Sequence, residues 1–442
     1  MLTILLALAC TGKPPDPVDD TGPPDRGAPT ATFPSFYGKV PKNLLMVSID
    51  TFRRDLLVRN GGGGDAAFLD RMAEEGVSLD AHRTCSNWTF PSIMCVVHGA
   101  TNVEVGFVPD LRNPGAAQMP ETTPTLALRL QDAGFRTMLV TSNSWFSDEH
   151  NSDYGYDSSE RPTDRRTTAV FEQGIDRLQQ AREEGVDRWY LHLHVKEPHP
   201  AYAPPESYLA GLADLPEIPY DFTDSDVLYD MHDVWPEMTE EERALVLQHL
   251  LVRYHGEVRW LSDQLIEQFA NLDRAGFLED TLVVFWTDHG EQFWEHGEQT
   301  HAYGLHNEEN DAVAIFWAKN IVAGTWTEPT SHVDLAPTVL SLLGVDDTVG
   351  FTGLPVGEAA PDRDLHYATV ARHGVVQSVV QDGWKLIYRW ETGEKWAFDT
   401  VNDPLELDDR YAPSDARIQG LEGLLAPKVE AMRALAPRHT PM

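Results

Sequence analysis

Five side chains between Cys85 and Gly99, in "CSNWTFPSIMCVVHG", could attack an electrophile: Cys85, Ser86, Thr89, Ser92 and Cys95. An alcohol does so near neutral pH only when a base or a cation makes its proton easier to lose. Two carboxylates, Asp50 and Asp288, each directly follow or nearly follow an apolar run, and His289 adjoins the second. Bare carboxylates held together are costly unless a proton or a cation sits between them. One divalent metal ion answers that cost, and oxygen ligands with one imidazole suit Ca, Mg, Mn or Zn alike. Such an ion also acidifies a hydroxyl beside it. Pro91 suits the first turn of a helix over 92–99, which places Thr89 just before an N-terminus whose free N–H groups favour an anion. Thr89 is therefore the candidate nucleophile. Ser92 falls inside that turn, Cys95 one turn on in a position suited to burial, and Cys85 and Ser86 in the preceding loop.

Positioning these groups needs a scaffold. Apolar, β-branched runs predict strands over 43–49, 135–141, 188–195, 281–287 and 312–318, alternating with helical patterns. "DAAFLDRMAEEG" and "TPTLALRLQDAGF" each carry helical spacing and stop at a glycine, and a longer helix is expected over 255–277. Alternation of this kind predicts an α/β fold with a mainly parallel sheet flanked by helices. Ligands of such sheets bind beyond the carboxyl ends of the strands. Four of the expected strands end in polar residues: Asp50 and Thr51, Ser142 and Asn143, Lys196 and His199, Asp288 and His289. From about residue 365 the texture shifts to short strands with polar interruptions, "LHYATVA", "VVQSVVQ", "WKLIYRW" and "KWAFDT". These predict an antiparallel meander closed by a helix over 415–434. Lys385 is expected to be a solvated strand residue, His332 to pack or cap, and Asp334 to cap a helix.

A formal charge of −36 over 442 residues, with no basic run, excludes nucleic acid as a partner. The opening "MLTILLALAC" resembles a bacterial lipoprotein signal over 1–10, with Cys10 as the lipidated residue. Residues 11–35 hold seven prolines and little that is apolar, which predicts an extended tether from a membrane anchor. The expectation is thus an exported protein, periplasmic or attached to the outer membrane. Cys85 and Cys95 are then available for a disulfide, whose geometry the sequence leaves open.

The chain resembles the sulfatase family of the alkaline phosphatase superfamily. The resemblance rests on "NLLMVSIDTFRRDLL", "NWTFPSIMCVVHGATNVEVGF", "LHVKEPHPAYAPPESY", "YHGEVRWLSDQL", "TLVVFWTDHGEQFWEHG", "HVDLAPTVLSLLG", and "GWKLIYRW" with "FDTVNDPLELDD", in family order from about 42 to 410. It implies an alkaline-phosphatase-like catalytic unit over 36–360 and a smaller C-terminal subdomain of antiparallel sheet and helix over 361–442. Asp50, Asp288 and His289 match the family's metal ligands, and His199 its substrate-contacting histidine. Asn143 and Lys196 fall near positions that contact the anion, and His301 sits where a late histidine assists the leaving group. The chain departs from the family at the CxPSR motif, whose Cys or Ser becomes formylglycine: it reads Thr89, Phe90, Pro91, Ser92, Ile93. No formylglycine is expected, and "TSNSW" replaces the usual lysine and histidine after the second strand. Relatives with threonine here attack phosphorus and form a phospho-enzyme. The resemblance therefore implies a metal-dependent hydrolase of sulfate or phosphate esters acting on a small anionic ester or a sulfated or phosphorylated glycan. Its alternatives are a phosphotransferase acting on envelope components and an inactive binding protein.

Overall fold

The computed structural model describes residues 32–112, 118–120, 124–358 and 362–435. The expected signal over 1–10 and most of the tether lie outside the described residues. Among those described, no helix is long and apolar enough to cross a membrane.

In chain order the principal elements begin with β1 (Asn43–Ile49), α1 (Ala67–Glu75), β2 (Val77–Leu79), α2 (Thr89–His98), α3 (Leu126–Asp132), β3 (Arg136–Thr141) and β4 (Ser158–Glu160). They continue through α4 (Thr167–Glu183), β5 (Trp189–Val195), α5 (Ser225–Val234), α6 (Glu240–Arg274), β6 (Thr281–Thr287), β7 (Ala314–Trp317), β8 (Gly324–Trp326) and α7 (Leu335–Leu342). The large sheet runs β8-β2-β7-β6-β1-β5-β3-β4. Every pairing is parallel except those of β7, which runs against β6 and β2. The exception has a local cause. The connection from β6 to β7 holds a small two-stranded ribbon, Gln292–Phe293 with Gln299–Thr300, and a four-residue helix, Asn307–Asn310, but no helix long enough to carry the chain across a sheet face.

β1, β5 and β6 are buried along their whole length, as strands covered on both faces must be. Their side chains divide with period two. Leu45, Val47, Leu191, Leu193, Val283 and Phe285 enter the layer beneath α1, α4 and α6. Leu44, Met46, Tyr190, Leu282, Val284 and Trp286 enter the opposite layer with α2, α3 and α7. The long helix α6 starts with a capping box at Thr239 and Glu242, which explains why it extends well upstream of the expected 255–277.

The C-terminal part forms the antiparallel meander β9 (Leu365–Ala371), β10 (Gly374–Gln381), β11 (Trp384–Arg389) and β12 (Lys395–Asp399), followed by α8 (Ala416–Leu435). One face of this sheet holds α8 through Leu386, Ala397, Leu421 and Leu425. The other packs Tyr367, Val376, Ile387 and Phe398 against Cys85, Cys95, Leu305 and Val333. Lys385 lies on that second face, so it is not a solvated residue. It is fully buried, with its Nζ 3.1 Å from Glu406 and 3.2 Å from Asn307 Oδ1. Sequence alternation gave no sign that a second layer would cover this side.

The seam also contains a stacked pair of imidazoles, His296 and His306, with ring centres 3.7 Å apart. Burial disfavours charge on His296, but its hydrogen bond to Glu308 and the nearby Glu406 win and push it up to about 8. A histidine raised on folding stabilises the native state below its unfolded pKa of about 6.5 and loses that contribution as pH rises through the folded value. Urea unfolding at pH 6 and pH 9 is expected to show a smaller loss of stability on alkalinisation in His296→Phe than in the wild type. Equal losses would remove the assignment.

Candidate active site

The parallel pairing of β1 with β6 places Ile49 opposite Thr287, so Asp50 and Asp288 leave adjacent strands side by side. Two backbone bonds lock the exit: Asp288 N–H donates to the Ile49 carbonyl and Asp50 N–H to that of Val195, each at 3.1 Å. Asp50, Asp288 and His289 each offer one ligand atom, all within 4.8 Å of one another and fully buried. Asp288 Oδ1 accepts from the N–H groups of His289 at 2.8 Å and Thr51 at 3.2 Å. Thr51 reaches that position in a left-handed conformation with φ 55°, uncommon for a β-branched residue. Gly290 is needed next: a Cβ there would collide with the carbonyl of Glu308.

His289 Nδ1 donates to the Gly290 carbonyl at 2.9 Å, which leaves the lone pair on Nε2. Burial, with His301 nearby, holds this imidazole at about 3, so it is neutral. Asp50 Oδ1, Asp288 Oδ2 and His289 Nε2 have no hydrogen-bond partner among the described residues. Burial and the charge of Asp50 push the Asp288 carboxyl well above its ordinary range. For Asp50, burial works in the same upward direction, but His199 and the hydrogen bond with His194 outweigh it and hold this carboxyl low. Three bare ligand atoms on a crowded pair of carboxylates and a neutral imidazole fit a divalent cation.

Thr89 stands beside this group. It is the first residue of α2, one position later than the expected placement just ahead of the helix, and no side chain caps that end. Its hydroxyl is 3.3 Å from Asn143 Nδ2, which also donates to Asp50 Oδ2 at 2.8 Å. Asn143 Oδ1 accepts from Trp145 N–H at 3.0 Å, which fixes the amide so that its nitrogen faces Thr89 and Asp50. The other candidates in this stretch are occupied. Cys85 and Cys95 are joined in a disulfide, closing a sequence separation of 10, worth about 2–3 kcal/mol to the folded state in the chain-entropy picture. Ser92 Oγ is taken by Thr84 at 2.7 Å, His332 at 3.0 Å and the Asp288 carbonyl. His332 packs and hydrogen-bonds here, whereas Asp334 makes no side-chain cap to α7, the helix it precedes, and instead accepts from Ser331 N–H and pairs with Arg363.

Two further imidazoles close the pocket. His301 lies with its ring centre 4.5 Å from His289 and 5.1 Å from His199. Glu291 holds His301 Nδ1 at 3.0 Å, leaving Nε2 as the free ring nitrogen. The loop carrying His301 contains Trp294, Thr300 and Ala302 in left-handed conformations at φ 69°, 67° and 70°, a concentration of backbone strain usual where geometry is imposed. Burial holds His301 at about 4 and keeps His199 below its ordinary value, with Lys196 contributing to the latter. Lys196 is half-buried, and among the described residues its ammonium makes no hydrogen bond to Asp50 or Thr89.

Two residues beside the site escaped sequence reasoning: Glu291 and His194. His194 Nε2 is 3.5 Å from Asp50 Oδ2 while its Nδ1 contacts Ser48 Oγ at 2.8 Å. The signal for it was present, since "WYLHLHV" puts His192 and His194 on one face of an otherwise apolar strand.

A buried Asp–Asp–His group at the carboxyl edge of a mostly parallel sheet, a hydroxyl at the adjoining helix start, and a C-terminal antiparallel sheet define an alkaline-phosphatase-like α/β protein. The chain belongs to the sulfatase family, whose sequence model, described as Sulfatase, matches residues 42–345. It is 28% identical over 165 residues to the choline-sulfatase of Rhizobium meliloti (strain 1021), covering 35% of this chain and 31% of that protein. The chain thus spans about a third of the length of this relative. A protein solved in complex with its substrate D-glucosamine-2-N,6-O-disulfate shares the fold with a TM-score of 0.71 at 18% identity, over 91% of this chain and 100% of that one. A phosphonate monoester hydrolase from Silicibacter pomeroyi does so with a TM-score of 0.68 at 17% identity, over 89% of this chain and 95% of that one.

Proposed function

We propose that this chain is a metal-dependent sulfuric ester hydrolase in which Thr89 is the nucleophile. The observation that supports it best is the Thr89 hydroxyl held by Asn143 beside Asp50, in a group whose ligand atoms on Asp50, Asp288 and His289 are bare. Those three residues would hold one divalent ion, which supplies positive charge to acidify the Thr89 hydroxyl and to neutralise the ester oxygens. Asn143, Lys196 and His199 orient the anion, and the uncapped start of α2 adds N–H groups toward it. The bond from Thr89 Oγ to sulfur forms as the bond from sulfur to the leaving oxygen breaks. The hydroxyl proton goes to solvent, and His301, neutral at rest, takes up a solvent proton on Nε2 and passes it to the leaving oxygen. Water then cleaves the threonine ester, restoring the hydroxyl and releasing sulfate.

Thr89 also favours a second reading of the same site, turnover of phosphate or phosphonate esters through a phospho-threonine, because threonine cannot supply the formylglycine aldehyde. The substrate class is a small anionic ester or a sulfated or phosphorylated glycan, in keeping with the glucosamine disulfate bound by the solved neighbour. The disulfide between Cys85 and Cys95 supports export to an oxidising compartment, as a periplasmic or outer-membrane lipoprotein. The alternative of an inactive binding protein loses ground to the bare ligand set.

The test is a rapid acid quench of the metal-loaded protein with aryl sulfate, aryl phosphate, phosphodiester and phosphonate ester, followed by peptide mass spectrometry. A sulfo- or phospho-adduct on the Thr89 peptide is expected. Turnover with an adduct on another residue would sink the assignment.

A further inference from the structure

Beyond the reacting group, the wall over His301 contains one cation that nothing in the mechanism uses. Arg372 sits in the turn between β9 and β10 of the C-terminal sheet. Its backbone N–H donates to the Ala302 carbonyl at 3.0 Å, so this turn is pinned directly to the loop that carries His301. The guanidinium lies 4.5 Å from the ring centre of Tyr229, on α5, and 5.5 Å from that of Tyr303. Two aromatic faces thus hold it in place.

What it lacks is a carboxylate. Among the described residues Arg372 forms no ion pair, and its Nε is buried without a hydrogen-bond partner. Glu298, the carboxylate of this wall, is taken by His373 at 3.2 Å and His232 at 3.5 Å. Arg372 is near enough to the site for its charge to act on His301, and the Tyr229 hydroxyl it lies against also hydrogen-bonds with it.

We propose that Arg372 is a specificity-determining residue that binds a second anionic group, a carboxylate or a further sulfate, on the leaving-group side of the ester. The side follows from His301, and this inference rests on the hydrolase reading above for that placement. A planar guanidinium fixed between two tyrosines presents its donors as a fork matched to such an oxyanion. The preferred substrate is therefore an ester whose alcohol portion is itself negatively charged, such as a uronate or a multiply sulfated sugar.

The experiment is calorimetric titration of the metal-loaded full chain with phenyl sulfate, 4-sulfooxybenzoate and 1,4-phenylene disulfate. The wild type is expected to bind one or both dianionic probes about 10- to 100-fold more tightly than phenyl sulfate, the range of a charge-assisted hydrogen-bonded pair. Which dianion gains more separates carboxylate from sulfate recognition. Arg372→Leu is expected to lose the preference and Arg372→Lys to keep part of it, since lysine retains the charge without the fork. Equal binding of all three probes by the wild type, or a preference that survives in Arg372→Leu, overturns the proposal. Binding is read without turnover, so failure to hydrolyse any ester would count against the hydrolase reading alone.

Discussion

Thr89→Ala is expected to lower kcat/KM for the best ester substrate by roughly 10³- to 10⁶-fold, the range seen when an enzyme loses its nucleophile but keeps its electrostatics. The physical reason is specific to this position. Asp50, Asp288 and His289 can still hold a cation and Asn143 can still donate, but no oxygen remains to form the covalent ester. Thr89 is 3% exposed, and alanine removes only a hydroxyl and a methyl from it, so the fold and the metal site should survive. Thr89→Ser restores an oxygen at the same helix start and is expected to recover most of the loss. The serine chain is freer to rotate away from Asn143 Nδ2, so recovery should be incomplete. Steady-state kinetics on both variants, with metal content and thermal melts as controls, separate chemistry from stability. Undiminished turnover in Thr89→Ala would falsify the nucleophile assignment.

Metal removal should produce an effect of similar size. Dialysis against a chelator is expected to abolish turnover and to lower stability by about 3 kcal/mol at ion concentrations a hundredfold above the dissociation constant. Without a cation, Asp50 and Asp288 face each other fully buried, with Asp50 Oδ1 and Asp288 Oδ2 unsatisfied. That arrangement is costly for carboxylates. Asp288→Asn relieves the repulsion and removes a charged ligand together. Its metal-free form should therefore melt no lower than the metal-free wild type, while its melting temperature and turnover respond little to added Ca, Mg, Mn or Zn. Titrating each ion into both proteins and following the melt and the rate would identify the element. A chelated wild type that keeps its activity and its melting temperature would remove the metal from the mechanism.

Much of the scaffold was legible because strands and helices carry local periodicity. The strand expected over 43–49 is found at Asn43–Ile49, and that expected over 281–287 at Thr281–Thr287. The C-terminal meander and its closing helix likewise follow the sequence pattern. Asp50, Asp288, Asn143 and His289 could be proposed together because a parallel sheet delivers the ends of its strands to one edge. The antiparallel course of β7 was not legible, since an apolar run has no direction until its connection is seen.

Sequence by itself determined the alternation of strands and helices, the excess of acid, and the residue types available at each strand end. Those features depend on neighbours along the chain, where spacing of apolar and polar side chains is enough. Only tertiary structure decided that Asn143 bridges Thr89 and Asp50, that Cys85 meets Cys95, that Lys385 is buried on Glu406, and that the turn of Arg372, from another sheet, is pinned to the loop of His301. Each of these depends on how layers distant in sequence close against one another and on which way a side chain must turn to avoid an unsatisfied charge or a collision.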